Sequence, residues 1–314
     1  MSAKQLLRVV VLFAVVLVLW GAAALARRHK AGAAGDEAFR LPPITRAAVD
    51  TVLLSDSGAT VVLARVDTSR WTVNGQPASP EAVADLLAAL TDTAPGSELV
   101  AERKASHAAL GVDSAGGTHV RIEGGGRTLA GLVVGHQSPG TSGGYVRLAG
   151  QEPTWLVRGR LVELLSRRGD EWRDRRIAAV PADSVAAVEV SRGTRRYTLK
   201  RADKGGWTLS SGGGAADSAQ AAALVAAYRN VEADGFASAA AADSARFSPA
   251  DRRTRLLRKD GTPVLTLAFD STKAGFWVRA DSGKTVYRIE EYSADRLAPA
   301  ESTVQAGKAR DARE

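Results

Sequence analysis

The sequence has no cysteine. Disulfides, thiolate nucleophiles, Cys-ligated metals and a cysteine-linked lipid anchor are therefore excluded. Compartment stays open, because a cysteine-free chain suits either side of a membrane. Histidine is nearly as scarce. His29, His107, His119 and His136 lie apart, and none has the HExxH or His-x-His spacing that brings two imidazoles onto one ion. Aromatic residues make up only 5% of the chain, so apolar packing must come mainly from Val, Leu and Ala.

Signatures of group-transfer chemistry are also lacking. Gly135-His136-Gln137-Ser138-Pro139-Gly140 is spaced wrongly for a G-x-S-x-G nucleophile elbow and leads into a strand rather than a helix. Gly283-Lys284-Thr285 has the ending of a phosphate-binding loop, but the position that needs the first glycine is Val278. No catalytic residue, metal ligand or cofactor site is assigned on these grounds.

The formal charge is +8, but it is unevenly placed. Residues 1–46 hold seven Lys/Arg and two acids, and the tail from Glu301 holds three of each, which leaves 32 basic against 29 acidic residues in the body. A nucleic-acid binder carries its excess on the folded body, so nucleic acid is not an expected partner.

One long uncharged run is present, the eighteen residues Val9 to Ala26. As a helix it would span about 27 Å, close to the ~30 Å of a bilayer core. It reads either as an uncleaved transmembrane anchor or as a signal peptide ending at Ala24-Leu25-Ala26; Arg27, Arg28 and Lys30 directly after it favour the anchor. The same three charges make the positive-inside rule a poor guide to orientation.

The chain also repeats itself. RWTVNGQPASPEAVADLLAALTDT begins at Arg70 and GWTLSSGGGAADSAQAAALVAAYRNV at Gly206. Val49 precedes Trp71 by 22 residues and Val185 precedes Trp207 by 22. Two alternating apolar-polar segments lie between each pair, the period of half-buried strands. A helix follows each Trp: Ser79 and Pro80 open the first, with Val83, Leu86, Leu87 and Leu90 on one face, and Asp217 or Ser218 opens the second. THVRIEGGGRTLAGLVVGH and TRLLRKDGTPVLTLAFD read as hairpins. Tyr145 and Trp155 are ten residues apart, as are Trp277 and Tyr287. Each copy ends in a short helical reading, RGRLVELLSR or EEYSADRLA. The expected fold class is α+β: an N-terminal transmembrane helix, then two tandem antiparallel-sheet-plus-helix repeats, each ordered β-β-β-α-β-β-β-α. The expected divisions are an anchor or signal segment 1–30, a linker 31–45, repeats 46–168 and 182–300 around a charged linker 169–181, and a disordered tail 301–314. Each Trp covers the seam between its helix and sheet in this scheme.

LGVD at Leu110–Asp113, the L-x-V-G stretch Leu132–Gly135, GGYVRLAGQEPTWLV and DEWRDRRI at Asp170–Ile177, in this order behind an apolar N-terminal segment, resemble the bacterial family of domain of unknown function 4340. The resemblance covers about residues 46–300. It implies a bacterial cell-membrane protein with a single N-terminal span and its body on the extracytoplasmic side, some relatives being linked with gliding-motility-type ABC transporter auxiliary proteins. It supplies no catalytic residues. The second copy departs from the pattern, with Phe247-Ser248-Pro249-Ala250-Asp251 in place of LGVD.

Two charged stretches stand out. Asp170, Glu171 and Asp174 lie among Arg167, Arg168, Arg173, Arg175 and Arg176, a solvated mixed-charge linker. Arg252, Arg253, Arg255, Arg258 and Lys259 contain no acid between them. They read either as a solvated strand edge that discourages edge pairing, or as a contact for anionic lipid headgroups or an acidic partner. The expected function is that of a non-enzymatic envelope protein, an auxiliary or scaffold subunit of a transporter-type complex, its partners being the membrane and a membrane protein. The alternatives are a binding module for an envelope polymer or small ligand in a groove between the repeats, and an enzyme without a recognised signature.

Overall fold

The computed structural model describes residues 38–92, 95–140, 142–210, 215–280 and 283–306. They form two compact units that divide between Arg173 and Asp174.

The first unit runs β1 (Thr51–Ser55), β2 (Thr60–Arg65), β3 (Trp71–Val73), β4 (Gln76–Pro77), α1 (Pro80–Thr91), β5 (Ser97–Ala101), α2 (His107–Leu110), β6 (Thr118–Gly124), β7 (Arg127–Gln137), β8 (Gly143–Leu148), β9 (Thr154–Arg158) and α3 (Leu161–Leu165). Its antiparallel sheet has the order β4-β3-β2-β1-β6-β7-β8-β9-β5. Alternation decides which way each strand faces: Val52 and Leu54 of β1, Leu63 of β2 and Ile122 of β6 are buried on one face. Helix α1 supplies the opposite wall. Ser79 caps it by accepting from the Ala82 amide, Pro80 occupies its first turn, and Val83, Leu86, Leu87 and Leu90 are buried. Full burial of each such side chain contributes about 1.5–3 kcal/mol. The helix leaves one sheet edge, and the chain re-enters at the other edge as β5.

The second unit runs β10 (Arg176–Ala178), β11 (Ala187–Arg192), β12 (Arg195–Arg201), β13 (Trp207–Leu209), α4 (Ser218–Ala227), β14 (Val231–Glu232), β15 (Gly235–Phe236), α5 (Ala239–Ser244), β16 (Arg252–Leu257), β17 (Pro263–Thr272), β18 (Gly275–Ala280), β19 (Tyr287–Ile289), α6 (Glu291–Leu297) and α7 (Glu301–Val304). Its main sheet is β13-β12-β11-β16-β17-β18-β19-β15, with β10 and β14 paired separately. Without β4, the first order is the same order. Register agrees as well: Trp71 pairs with Arg65 and Trp207 with Arg201. Tyr145 lies opposite Leu156 and Trp277 opposite Arg288, one position past the residue that faces Val157 or Ile289. Gly143 and Gly275 open β8 and β18, and a Cβ on either would lie 2.3 Å from a neighbouring carbonyl, that of Val157 or Ile289.

Several expectations need correction. The expected α+β class does not hold: the fold is mostly β-sheet, 40% strand against 22% helix, in large antiparallel sheets. The short helical readings that close each copy are present, as α3 of five residues and α6 of seven. Edge strands β5 and β15 are additional, so the repeat is richer in strands than β-β-β-α-β-β-β-α. They escape notice because an edge strand need not alternate and takes its pairing from a distant segment. The N-terminal transmembrane helix is not supported: no helix among the described residues is long and apolar enough to cross a membrane, and Val9–Ala26 lies outside the described residues.

The segment 169–181 is not a solvated linker. Trp172 within it is fully buried, its carbonyl accepts the Ser79 amide at 2.7 Å, and β10 follows. Nor is the tail disordered from Glu301, since α7 begins there, Val304 is buried and the Asp217 amide donates to the Val304 carbonyl at 2.8 Å. In both places buried apolar side chains tie a charged or polar stretch to a core, Trp172, Ile177 and Val180 in the first and Val304 in the second.

Candidate functional site

The repeated tryptophans are packing residues. Trp71 and Trp207 are 7% and 8% exposed, and each carries a guanidinium over its ring, Arg65 at 4.8 Å and Arg201 at 4.9 Å. Both arginines also tie down the segment before their sheet: Arg65 donates to the Val49 and Arg46 carbonyls, Arg201 to those of Val185 and Ala182. Each ring is thus closed off by its own strand neighbour.

The five basic residues singled out in the sequence do not form one surface. Strand β16 is central, between β11 and β17, so alternation sends successive side chains to opposite faces. Arg252 points inward. It is 8% exposed, stacks on Phe276 at 4.3 Å and pairs with Asp295 of α6 at 2.7 Å. Asp295 also pairs with Arg192 at 3.2 Å. Arg253 and Arg255 point outward. Arg258 and Lys259 lie in the turn after the strand, about 10 Å further along at ~3.3 Å per residue; Arg258 donates to the Pro263 carbonyl at 3.4 Å.

The outward pair joins residues that no motif in the sequence marks. Glu189 of β11 lies opposite Thr198 of β12 on one side and Arg255 on the other. Ser191, two residues along, lies opposite Arg196 and Arg253. These six residues line an open depression of about 380 Å3. Arg255 Nη1 pairs with Glu189 Oε2 at 2.7 Å. Arg253 Nη2 donates to the Phe247 carbonyl at 3.0 Å, while its Nε is buried without a hydrogen-bond partner. Arg196 is exposed and has no partner among the described residues. Cross-strand register brings these groups together, and no linear spacing could have revealed it.

The inward face has its own polar cluster. The Tyr228 and Thr254 hydroxyls both donate to the Leu297 carbonyl, Thr254 at 3.0 Å, and the Tyr197 hydroxyl donates to the Pro299 carbonyl at 2.9 Å. Burial pushes both phenols well above the usual tyrosine range, so they remain protonated donors. The corresponding residues of the first unit are Val61, Leu90 and Val120, all buried and apolar. Outside, Asp251 accepts from the Ser271 hydroxyl and amide, which hold its carboxyl below the usual range.

The placement of Arg252 makes a direct test. Arg252→Ser is expected to cost about 1–3 kcal/mol, because it removes a buried charge-assisted bond and a ring contact. Arg255→Ser is expected to cost less than about 1 kcal/mol, since its ion pair is exposed. Urea unfolding of the two variants checks the order; equal losses would contradict the assignment of faces.

Two of the histidines lie within reach of backbone carbonyls. His107 is buried, its Nε2 2.7 Å from the Glu152 carbonyl, and His119 Nε2 lies 3.4 Å from that of Ser114. Among the described residues no group of three or more His, Asp and Glu side chains is placed to hold a metal ion. Gly283-Lys284-Thr285 precedes strand β19, not a helix. His29 lies outside the described residues.

No curated protein and no solved structure matches this chain. The profile of the domain of unknown function DUF4340 matches residues 71–249, more than half of the chain, from β3 of the first unit to the threshold of β16 in the second. With the order and spacing of its strand motifs, this places the protein in the DUF4340 family, to which it belongs.

Proposed function

We propose that this protein is a non-enzymatic auxiliary or scaffold subunit that works by surface contact with a membrane-protein partner of transporter type. The observation that carries the reading is the outer face of the second sheet. There three guanidinium groups, one carboxylate and two hydroxyls stand on adjacent strands over an open depression. A shallow, half-exposed polar lattice on rigid strands suits a protein interface better than an enclosed small-molecule pocket. The first sheet, built in the same register, carries Leu53, Val62, Arg121, Ser55, Thr60 and His119 at those six positions. The duplication therefore supports a division of labour, with the second unit adapted for contact.

Action outside the cytoplasm is part of the proposal and rests on the sequence, on the uncharged run Val9–Ala26 with its small-x-small end. A cytoplasm-only reporter fused after Glu314 is expected to be silent, and activity there would reverse the assignment. The contact itself is tested by placing a photo-cross-linking residue at Thr198 in the full chain in its native membrane, with Val62 as the matched position in the first sheet. The expected result is a cross-link from position 198 to an integral membrane transport subunit and none from position 62. Equal labelling from both positions, or none, would overturn the reading.

A further inference from the structure

The two rows of the outer lattice differ in one respect. In the row centred on Glu189, the central residue is an acid and Arg255 closes onto it at 2.7 Å. In the row centred on Ser191, the central residue is a short hydroxyl flanked by Arg196 and Arg253. Neither arginine has a carboxylate partner among the described residues; Arg253 Nη2 is held by the Phe247 carbonyl and its Nε is sealed from solvent, which leaves its Nη1 as the donor open to a ligand. The two arginine backbones are two strand spacings apart, about 9.6 Å, a gap that long guanidinium side chains can close over a serine. This row has donors for a carboxylate and lacks the carboxylate.

We propose that the Arg196–Ser191–Arg253 row is a docking site for an acidic side chain on an extended segment of the partner protein. This rests on the surface-contact reading above and deepens it. Charge complementarity names the occupant: the incoming carboxylate takes in trans the role that Glu189 plays in cis for Arg255. Two guanidinium groups and the Ser191 hydroxyl supply the bonds, and charge-assisted bonds of this kind are the strong ones. The surroundings favour a single carboxylate over a phosphate-rich surface. Glu189 stands two residues from Ser191 on β11 and Asp251 two residues from Arg253, just before β16, about 7 Å away on either side, and these carboxylates disfavour a dense polyanion. The body of the chain is close to neutral, with 32 basic and 29 acidic residues between positions 47 and 300, so long-range capture of a polyanion has little to drive it.

The test uses the full chain and a fluorescent extended peptide of alternating Glu and Ser, with the Gln-Ser peptide and phosphatidylglycerol vesicles as comparison probes. The Glu-Ser peptide is expected to bind and the Gln-Ser peptide not. Ser191→Glu fills the row with its own carboxylate and is expected to weaken peptide binding about tenfold or more, as is Arg196→Ser. Ser55→Glu makes the same charge change at the matched position of the first sheet and is expected to leave affinity within about twofold. Ser191→Glu should also leave the fold at least as stable as wild type, since it sets a carboxylate between two arginines that have none, so weakened binding cannot be blamed on unfolding. Equal effects of Ser191→Glu and Ser55→Glu would overturn the proposal, as would preferential binding to the vesicles. Peptide binding that ignores Ser191→Glu while the cross-link from position 198 persists would refute the acidic-segment site and leave the auxiliary reading standing. Loss of the cross-link with peptide binding intact would do the reverse.

Discussion

Trp172→Ala is expected to lower the stability of the first unit by about 3–5 kcal/mol, the range for truncating a large, fully buried aromatic residue. Trp172 is 0% exposed and belongs to the main apolar cluster of that unit, with the Arg167 guanidinium 5.5 Å from its ring centroid. Its backbone carbonyl accepts the Ser79 amide, and Ser79 caps α1. Loss of the ring therefore opens a cavity and loosens the turn that starts the main helix. Urea unfolding followed by circular dichroism measures the effect, with Asp174→Ala as the comparison. A solvated linker would tolerate both substitutions equally, so a Trp172→Ala variant as stable as Asp174→Ala would show that the segment is not part of the core.

Tyr228→Ala is expected to cost about 3–5 kcal/mol in the second unit, while Tyr228→Phe costs about 1 kcal/mol. The side chain is fully buried at the end of α4, and its hydroxyl shares the Leu297 carbonyl with Thr254. Tyr228→Phe leaves that carbonyl its second donor, so only one bond is lost. Tyr228→Ala also empties the space between α4 and the segment after α6. The first unit fills the equivalent place with Leu90, so Tyr228→Leu is expected to fall between the two. If Phe and Ala at this position proved equally harmful, the hydroxyl and not the ring would be dominant, contrary to the packing described here.

The repeat was legible because it depends on local patterns. The Trp-helix phrase, the alternation of Val52 and Leu54, the cap at Ser79 and the glycines of the Gly125-Gly126 turn (φ 58° and 73°) act over a few residues. The weight of sheet against helix was not legible, because Ala-rich segments read as helix while β5 and β15 take their identity from distant partners. The docking of segments 169–181 and 301–306 escapes a reading of composition for a related reason. Charge dominates the composition of both segments, yet a few side chains, Trp172, Ile177 and Val180 in one and Val304 in the other, contribute enough apolar area to dock them.

The basic cluster shows the same limit at the candidate site. Linear order places Arg252, Arg253 and Arg255 together, and strand pleating separates them: Arg252 goes to the core with Asp295 and Phe276, the other two to the outer face. Their working neighbours, Glu189, Ser191 and Arg196, lie more than fifty residues earlier in the chain.

By itself the sequence determined what short-range physical chemistry encodes: strand faces from period-two burial, helix starts from caps, turns from glycines with positive φ, and two copies of one unit from matched spacing. The absence of cysteine also settled the exclusion of thiol chemistry. Only the tertiary structure decided which side chains meet. Cross-strand register is set by how a whole sheet buries its apolar face, and that choice alone put Arg196 and Arg253 on either side of Ser191. The same register in the first sheet brings Thr60 and His119 around Ser55. One topology thus presents two different surfaces, because the core-facing positions hold the fold while the alternate positions are free to differ.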